Sequence, residues 1–281
     1  MKRLLMMLLA AGLVSGCATL DPNKGKPAAV GEDAPVLTPM SSTHKDLLNL
    51  PPARGPIVAA VYNFRDQTGQ FKPTADSSYS TAVTQGATSM LIKAMLDSGW
   101  FVPVEREGLQ NLLTERKIIR STEEKGVAPV ELPNLMAAGI LLEGGIIGYE
   151  TNVKTGGGGA RYLGIGLSDM YRTDQVTINL RAVDIRSGRI LSSISTTKAI
   201  LSYKLSGDVY KFIKFKSLLE LEAGYTRNEP VQLCVQDAIE AGLIYLITKG
   251  IKDNHWTLRN NVDLQSPVLQ RYLQELVAPA A

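Results

Sequence analysis

The chain has 281 residues, 44% hydrophobic and 20% charged, enough for one large domain or two small ones with an ample core. That excludes a wholly disordered chain and a collagen-like repeat. Thirty Lys plus Arg against 27 Asp plus Glu gives a formal charge of +3, which offers no basic face for nucleic acid. Two cysteines make no disulfide framework.

Residues 1–16, MKRLLMMLLAAGLVSG, read as a signal peptide. Lys2 and Arg3 are its positive start, and Leu4 to Val14 its short apolar centre. It runs into Leu13-Val14-Ser15-Gly16-Cys17, which resembles the lipobox of bacterial lipoproteins. Cys17 is then the lipidation site, its thiol carrying a diacylglycerol. Several acyl chains on one residue anchor stably where one chain is marginal. Ala18, not Asp, follows the cysteine, which by the same resemblance favours the outer membrane. Residues 17–56 read as the acylated cysteine and a Pro-rich tether, either hanging free or wrapped on the domain, with seven of the 14 prolines between positions 18 and 56.

The folded part is expected at 57–281. Ile57 to Tyr62 reads as a buried strand, followed by a polar loop from Arg65 to about Ser80. Leu91, Ala94 and Met95 have helical spacing, and Asp97-Ser98-Gly99 stops that helix. Phe101 to Val104 is a short strand, placed at a sheet edge by Pro103. Leu109, Leu112 and Leu113 mark a second helix, and Ser121 to Leu132 a charged loop. Ile140 to Tyr149 is an apolar strand. Val176, Ile178, Leu180 and Ala182 alternate with Thr177, Asn179 and Arg181, the pattern of a half-buried strand. Arg186 to Arg189 turns the chain into a strand from Ile190 to Thr197. A helix from Val231 to about Ile247 carries Cys234 as a small buried hydrophobe, and a last short helix runs from Val268 to Val277. The fold class is α+β: a compact α/β domain.

Past the leader, no apolar run reaches the length of a membrane helix. The longest, Val231 to Ile251, contains Gln232, Gln236, Asp237, Glu240 and Lys249. That leaves a β-barrel open, because barrel strands carry a weaker signal. Two stretches, at about 150–175 and 202–229, read as long hairpins interrupting the domain. Leu219, Leu221, Ala223 and Tyr225 alternate with Glu220, Glu222, Gly224 and Thr226, while elsewhere the alternation is blurred. From pattern alone, long surface hairpins in water stand beside barrel hairpins. Tyr210, Phe212 and Phe215 weigh for the barrel, since soluble loops rarely expose such aromatics. Four strands cannot close a barrel, and open edges in lipid leave backbone groups unpaired, so membrane hairpins require a homo-oligomeric ring.

Nothing in the sequence argues for an enzyme. His44 and His255 lie in no motif, and no metal-ligand pattern is visible. Gly156 to Gly159 lack the Gly-Lys-Ser/Thr of a phosphate loop. Glu220 and Glu222 share one strand face, and Glu123-Glu124 reads as a solvated loop.

Several motifs resemble the family of curli secretion channels, outer-membrane lipoproteins of Gram-negative bacteria. They are Tyr62-Asn63, Gln67-Thr68-Gly69-Gln70-Phe71-Lys72-Pro73, Trp100-Phe101-Val102-Pro103, Gly108 to Leu113, Glu115 to Arg120, Ile146 to Glu150, Gly224-Tyr225 and Asn228-Glu229-Pro230. The resemblance implies a nonamer, each protomer giving two hairpins to a shared transmembrane β-barrel of 36 strands, the largest count known. It implies a main domain in the periplasm, passive export of unfolded amyloid subunits for curli and biofilm, a periplasmic cap and surface accessory factors as partners, and no cofactor beyond the lipid on Cys17. It puts the pore constriction at Thr74, Ser78 and Tyr79, where the family usually has two aromatics and an amide. It puts Glu220 and Glu222 on the lumen, and Tyr210 and Phe212 at the membrane tip. The alternative reading is a periplasm-facing outer-membrane lipoprotein that binds and regulates a cell-wall enzyme.

Overall fold

The structure, a computed structural model, describes residues 40–71, 80–123, 130–155, 170–206, 209–213 and 230–277. Its strands are β1 (Ile57–Ala60), β2 (Phe64–Asp66), β3 (Phe101–Val104), β4 (Ile140–Thr155), β5 (Met170–Asp184), β6 (Ile190–Ser206) and β7 (Val209–Ile213). Its helices are α1 (Ser42–Leu48), α2 (Ala87–Ser98), α3 (Leu109–Glu123), α4 (Pro230–Lys252) and α5 (Pro267–Glu275). One mixed sheet runs in the order β3-β1-β4-β5-β6-β7, with β2 also on β4. β1 lies parallel to β3 and β4, and β2 parallel to β4. The ladders from β4 to β7 are antiparallel. The fold is therefore mixed α+β, and β3, with Pro103, does lie at an edge.

The core follows from strand alternation. Val176, Ile178, Leu180 and Ala182 are fully buried, while Thr177, Asn179 and Arg181 point the other way. Against the buried row pack Val235, Ala238, Ile239, Leu243 and Ile247 of α4. Burying each of the Val, Leu and Ile side chains stabilises the fold by about 2 kcal/mol. By length and composition α4 is apolar enough to cross a membrane, at a mean hydropathy of 1.3. Yet 61% of that stretch is buried inside the domain, which makes it the core helix. α1, α2 and α5 gather around it.

The segment read from composition as the end of a tether is partly built into this core. Leu47, Leu50 and Ala53 are buried. Trp100 Nε1 donates to the Pro51 carbonyl at 2.9 Å, and Ala53 bridges Leu258. Prolines that weaken a free segment serve equally well in an extended strap that packs.

Other boundaries move outward. β2 is too short to show a period, and two of its three residues, Arg65 and Asp66, lie within the expected loop. The helix at 109 runs to Glu123, into the expected charged loop. The expected strand at 140–149 continues to Thr155, its partner begins at Met170, and the strand from Ile190 reaches Ser206. Leu201 to Ser206 pair with Ile213 to Val209. The glycine run at 156–159 and the residues 214–229 lie outside the described residues.

Candidate functional site

β2, its following turn and residues 80–85 flank positions 72–79 and form a stem. β2 lies on β4 with Phe64 opposite Gly144 and Asp66 opposite Ile146. The close approach depends on glycines. A Cβ on Gly144 (φ 153°) would stand 1.9 Å from the Asn179 carbonyl oxygen, and one on Gly145 2.5 Å from that of Arg65. Thr88 Oγ1 holds Phe64 from the other side, accepting from its N–H at 2.9 Å. Beyond β2, Gln67 N–H donates to Ile146 O at 2.9 Å and Gln67 Nε2 to Gly144 O at 3.2 Å. The carboxylate of Asp66 accepts from Thr68 N at 2.8 Å and Thr68 Oγ1 at 2.7 Å. Gln70 Nε2 donates to Tyr149 O at 3.1 Å, Ala82 N to Gln70 O at 2.8 Å, and Phe71 bridges Thr81.

Where β4 and β5 extend past this stem, a polar group sits in the core. Tyr149 Oη donates to Asp174 Oδ1 at 3.1 Å, and Thr151 Oγ1 lies 2.6 Å from the phenol and 2.8 Å from the same carboxylate oxygen. Asp174 is fully buried. Cys234 Sγ donates to Asp174 O at 3.6 Å. Burial, and then the Asp174 carboxylate, push this thiol up to about 12. Such a thiol is inert as a nucleophile or ligand, in keeping with the packing role read for Cys234.

A second polar chain pins α1. His44 Nδ1 lies 2.8 Å from Glu240 Oε1, with Asp97 Oδ2 3.8 Å from Nε2. Gln236 Nε2 also donates to Glu240 at 3.0 Å. His44 and Glu240 are both buried, so the histidine read as a tether residue is a core partner of α4. Ser41 Oγ caps α1, accepting from His44 N at 3.0 Å. Asp46 on the same helix pairs with Arg271 and accepts from Tyr272 Oη at 3.0 Å.

The other face of the sheet is open and polar. Thr177 and Thr197 hydroxyls lie 2.9 Å apart, and Arg181 Nη2 pairs with Glu143 Oε2 at 2.7 Å. A cavity of about 270 Å³ there is lined by Tyr62, Asn63, Gln67, Glu143, Asn179 and Arg181. Among the described residues, no three His, Cys, Asp or Glu side chains converge as a metal site.

Of the sequence-predicted positions, Cys17, Thr74, Ser78, Tyr79, Glu220 and Glu222 lie outside the described residues. Tyr210 and Phe212 are on β7, opposite Lys204 and Ser202 of β6. The stem residues Asp66 and Gln70, the Tyr149–Asp174 group and the His44–Glu240 pair are not singled out by sequence reasoning. Asp174 does carry a signal: it shares the inward phase of Val176, Ile178, Leu180 and Ala182.

The family model for the curli production assembly/transport component CsgG matches residues 40–276, which takes in the stem, the polar group and every helix named above. The chain belongs to the CsgG family. Curated CsgG proteins of Salmonella typhimurium and Escherichia coli K12 are each 50% identical to it over 279 residues, covering 98% of both chains. The CsgG protein of Citrobacter koseri is 50% identical over 283 residues, covering 99% of each. Its membership makes the chain a curli transport component. Among solved structures, the PelC dodecamer from Paraburkholderia phytofirmans aligns at 13% identity over 68% of this chain and 87% of that one, with a TM-score of 0.29. Lipoprotein GNA1162 from Neisseria meningitidis aligns at 14% identity over 55% and 88%, with a TM-score of 0.27. Both likenesses are too slight to carry an argument.

Proposed function

We propose that this CsgG-family chain is a passive outer-membrane secretion channel that exports unfolded curli-type fibre subunits through a homo-oligomeric β-barrel pore. The observation that carries this reading is the ribbon β4-β5-β6-β7. Its strands β4, β5 and β6 run 16, 15 and 17 residues. From Glu150↔Gln175 to Thr155↔Met170 the ladder continues in register past the buried Tyr149 and Val176. Six such pairs span about 20 Å. The ribbon has two open edges among the described residues: β7, and β4 beyond Ile146. Four strands with two edges satisfy their backbone groups in lipid only when copies add edge to edge until the ring closes. The exposed apolar side chains Ile118, Leu135 and Met136 on α3 and the segment after it support self-association.

In this reading Cys17 carries the lipid that holds each protomer in the outer membrane, with the domain in the periplasm. Nine copies supply the barrel. Thr74, Ser78 and Tyr79 line the constriction, where one aromatic ring grips an extended chain loosely. Glu220 and Glu222 make acidic rings on the lumen, and Tyr210 and Phe212 sit at the membrane tip. Transport runs on diffusion and entropy, with a periplasmic cap and surface factors as partners. Planar-bilayer conductance of the detergent-purified oligomer tests this. Ohmic pores whose conductance changes in Tyr79→Ala are the expected result. A ring-shaped oligomer that conducts nothing overturns the channel and leaves the regulator of a cell-wall enzyme.

A further inference from the structure

The geometry points to Gln70 as a positioning residue for that pore: its amide fastens the stem that flanks positions 72–79 to β4 at the height where the ribbon begins. The pore role rests on the reading above; the fastening rests on described residues alone. β2 stops pairing at Asp66, and among the described residues Gln67 N–H makes the last backbone bond to β4, at Ile146 O. A bulge between Ile146 and Gly148 then offsets the strand. Gly69, at φ 65°, turns the stem backbone away from it. The carbonyl of Tyr149 is thus presented on an edge that the β2 backbone no longer follows. The side chain of Gln70 reaches back to it, at 3.1 Å.

The same residue gathers both limbs of the stem. Gln70 O accepts from Ala82 N at 2.8 Å, and Gln70 N donates to Thr68 Oγ1 at 3.3 Å. Thr68 is in turn held by Asp66, whose other oxygen accepts from Gln85 Nε2 at 3.5 Å. On the far side of the hydrogen bond, the Tyr149 side chain is fixed in the core by Asp174. Gln70 therefore links the exposed stem to a buried anchor through one residue of β4. It sets the height of both limbs of the stem against the ribbon. It also occupies the last carbonyl before the edge that a neighbouring copy pairs with, from Glu150 onward.

The test is amide exchange of the detergent-solubilised oligomer, read at Ala82 and Gln67, beside single-channel recording. Losing one such bond raises the open population of the stem about fivefold. In Gln70→Ala, exchange at Ala82 and Gln67 rises by that factor against wild type, melting is unchanged, and the open-channel current acquires sublevels. Gln70→Glu behaves alike at neutral pH, where a carboxylate faces the carbonyl oxygen. Below the ordinary Glu value of about 4.3 its acid proton donates again, and the ratio to wild type at the same pH returns toward one. Unchanged exchange at both amides in Gln70→Ala overturns the fastening. Raised exchange with a current identical to wild type overturns the positioning role. A wild-type oligomer without conductance overturns the pore reading itself, while exchange still decides the fastening.

Discussion

The lower part of the sheet and the ribbon above it are made of the same three strands in very different surroundings. Up to Tyr149 and Asp174, β4, β5 and β6 bury every second side chain in the core, β5 and β6 against α4. Above, the ladder carries on in register to Thr155 and Met170. A slip of one residue at the base would turn the buried row to solvent, so the base fixes the register and the ribbon inherits it. An isolated ribbon of this kind is marginal in water. In the channel reading, lipid and neighbouring copies complete it from outside the protomer.

The largest effect tests the base alone. A methyl group at Gly144 meets the Asn179 carbonyl at 1.9 Å, on a backbone conformation that side chains rarely adopt. Gly144→Ala is expected to cost about 3 kcal/mol or more, from overpacking and strain together, and to abolish folding and pore assembly in parallel. Urea unfolding and size-exclusion chromatography check it. A well-folded variant that only fails to assemble would show that the ribbon does not inherit its register from the base.

The boundary comes next. Tyr149→Phe removes the phenol that donates to Asp174 and lies beside Thr151. Hydrogen bonds to a buried carboxylate are worth about 2 kcal/mol, and that loss is expected in chemical denaturation. A loss near zero would mean that the base and the ribbon are not joined through this group.

The contrast also explains what was legible in the sequence. The base was readable because its alternation is strict: Val176 to Ala182 gave strand, face and burial at once. Cys234 was readable as packing because it shares a stripe with Ala238 and Ala241. The strand ends were readable only as two hairpins with blurred alternation, since a strand that leaves its core loses the buried phase that periodicity reads. β2 was invisible because its three residues, Phe64 to Asp66, hold no period, and its place depends on Gly144 and Gly145, eighty residues on. Gln70 and Tyr149 meet across a similar gap, through a side chain and a carbonyl, which no local pattern records. His44 looked like a tether residue because its partner Glu240 is nearly two hundred positions away.

A third effect lies where α4 covers the boundary. Burial first, and the Asp174 carboxylate second, push the folded Cys234 thiol up to about 12 from an ordinary 9.0. Between those values the folded chain keeps a proton that the unfolded chain has lost, so stability falls as pH rises. From pH 9 to pH 10 this group removes about 1 kcal/mol. Buried Tyr272 also has a raised value, from desolvation first, but it is common to both proteins in a comparison with Cys234→Ala. The variant should therefore lose less stability than wild type over that interval, in paired urea titrations. Equal losses would mean that solvent reaches the thiol, and that α4 does not seal the boundary.

The smallest effect belongs to the open face of the base. Arg181 and Glu143 are joined by two hydrogen bonds, at 3.1 and 2.7 Å, but their side chains are 46% and 38% exposed. A pair in that setting is worth about 0.5 kcal/mol, because water and salt screen it and two long side chains must be held still. Arg181→Ala should thus change the stability of the protomer by no more than that, and 1 M salt should erase the difference. The same substitution in the assembled oligomer sharpens the comparison. If this face stays open in the ring, the cost is again small. A cost of about 3 kcal/mol there would mean that a neighbouring copy has desolvated Glu143 and left it without its partner. The open face of the base, like the edges of the ribbon, would then be completed by another protomer.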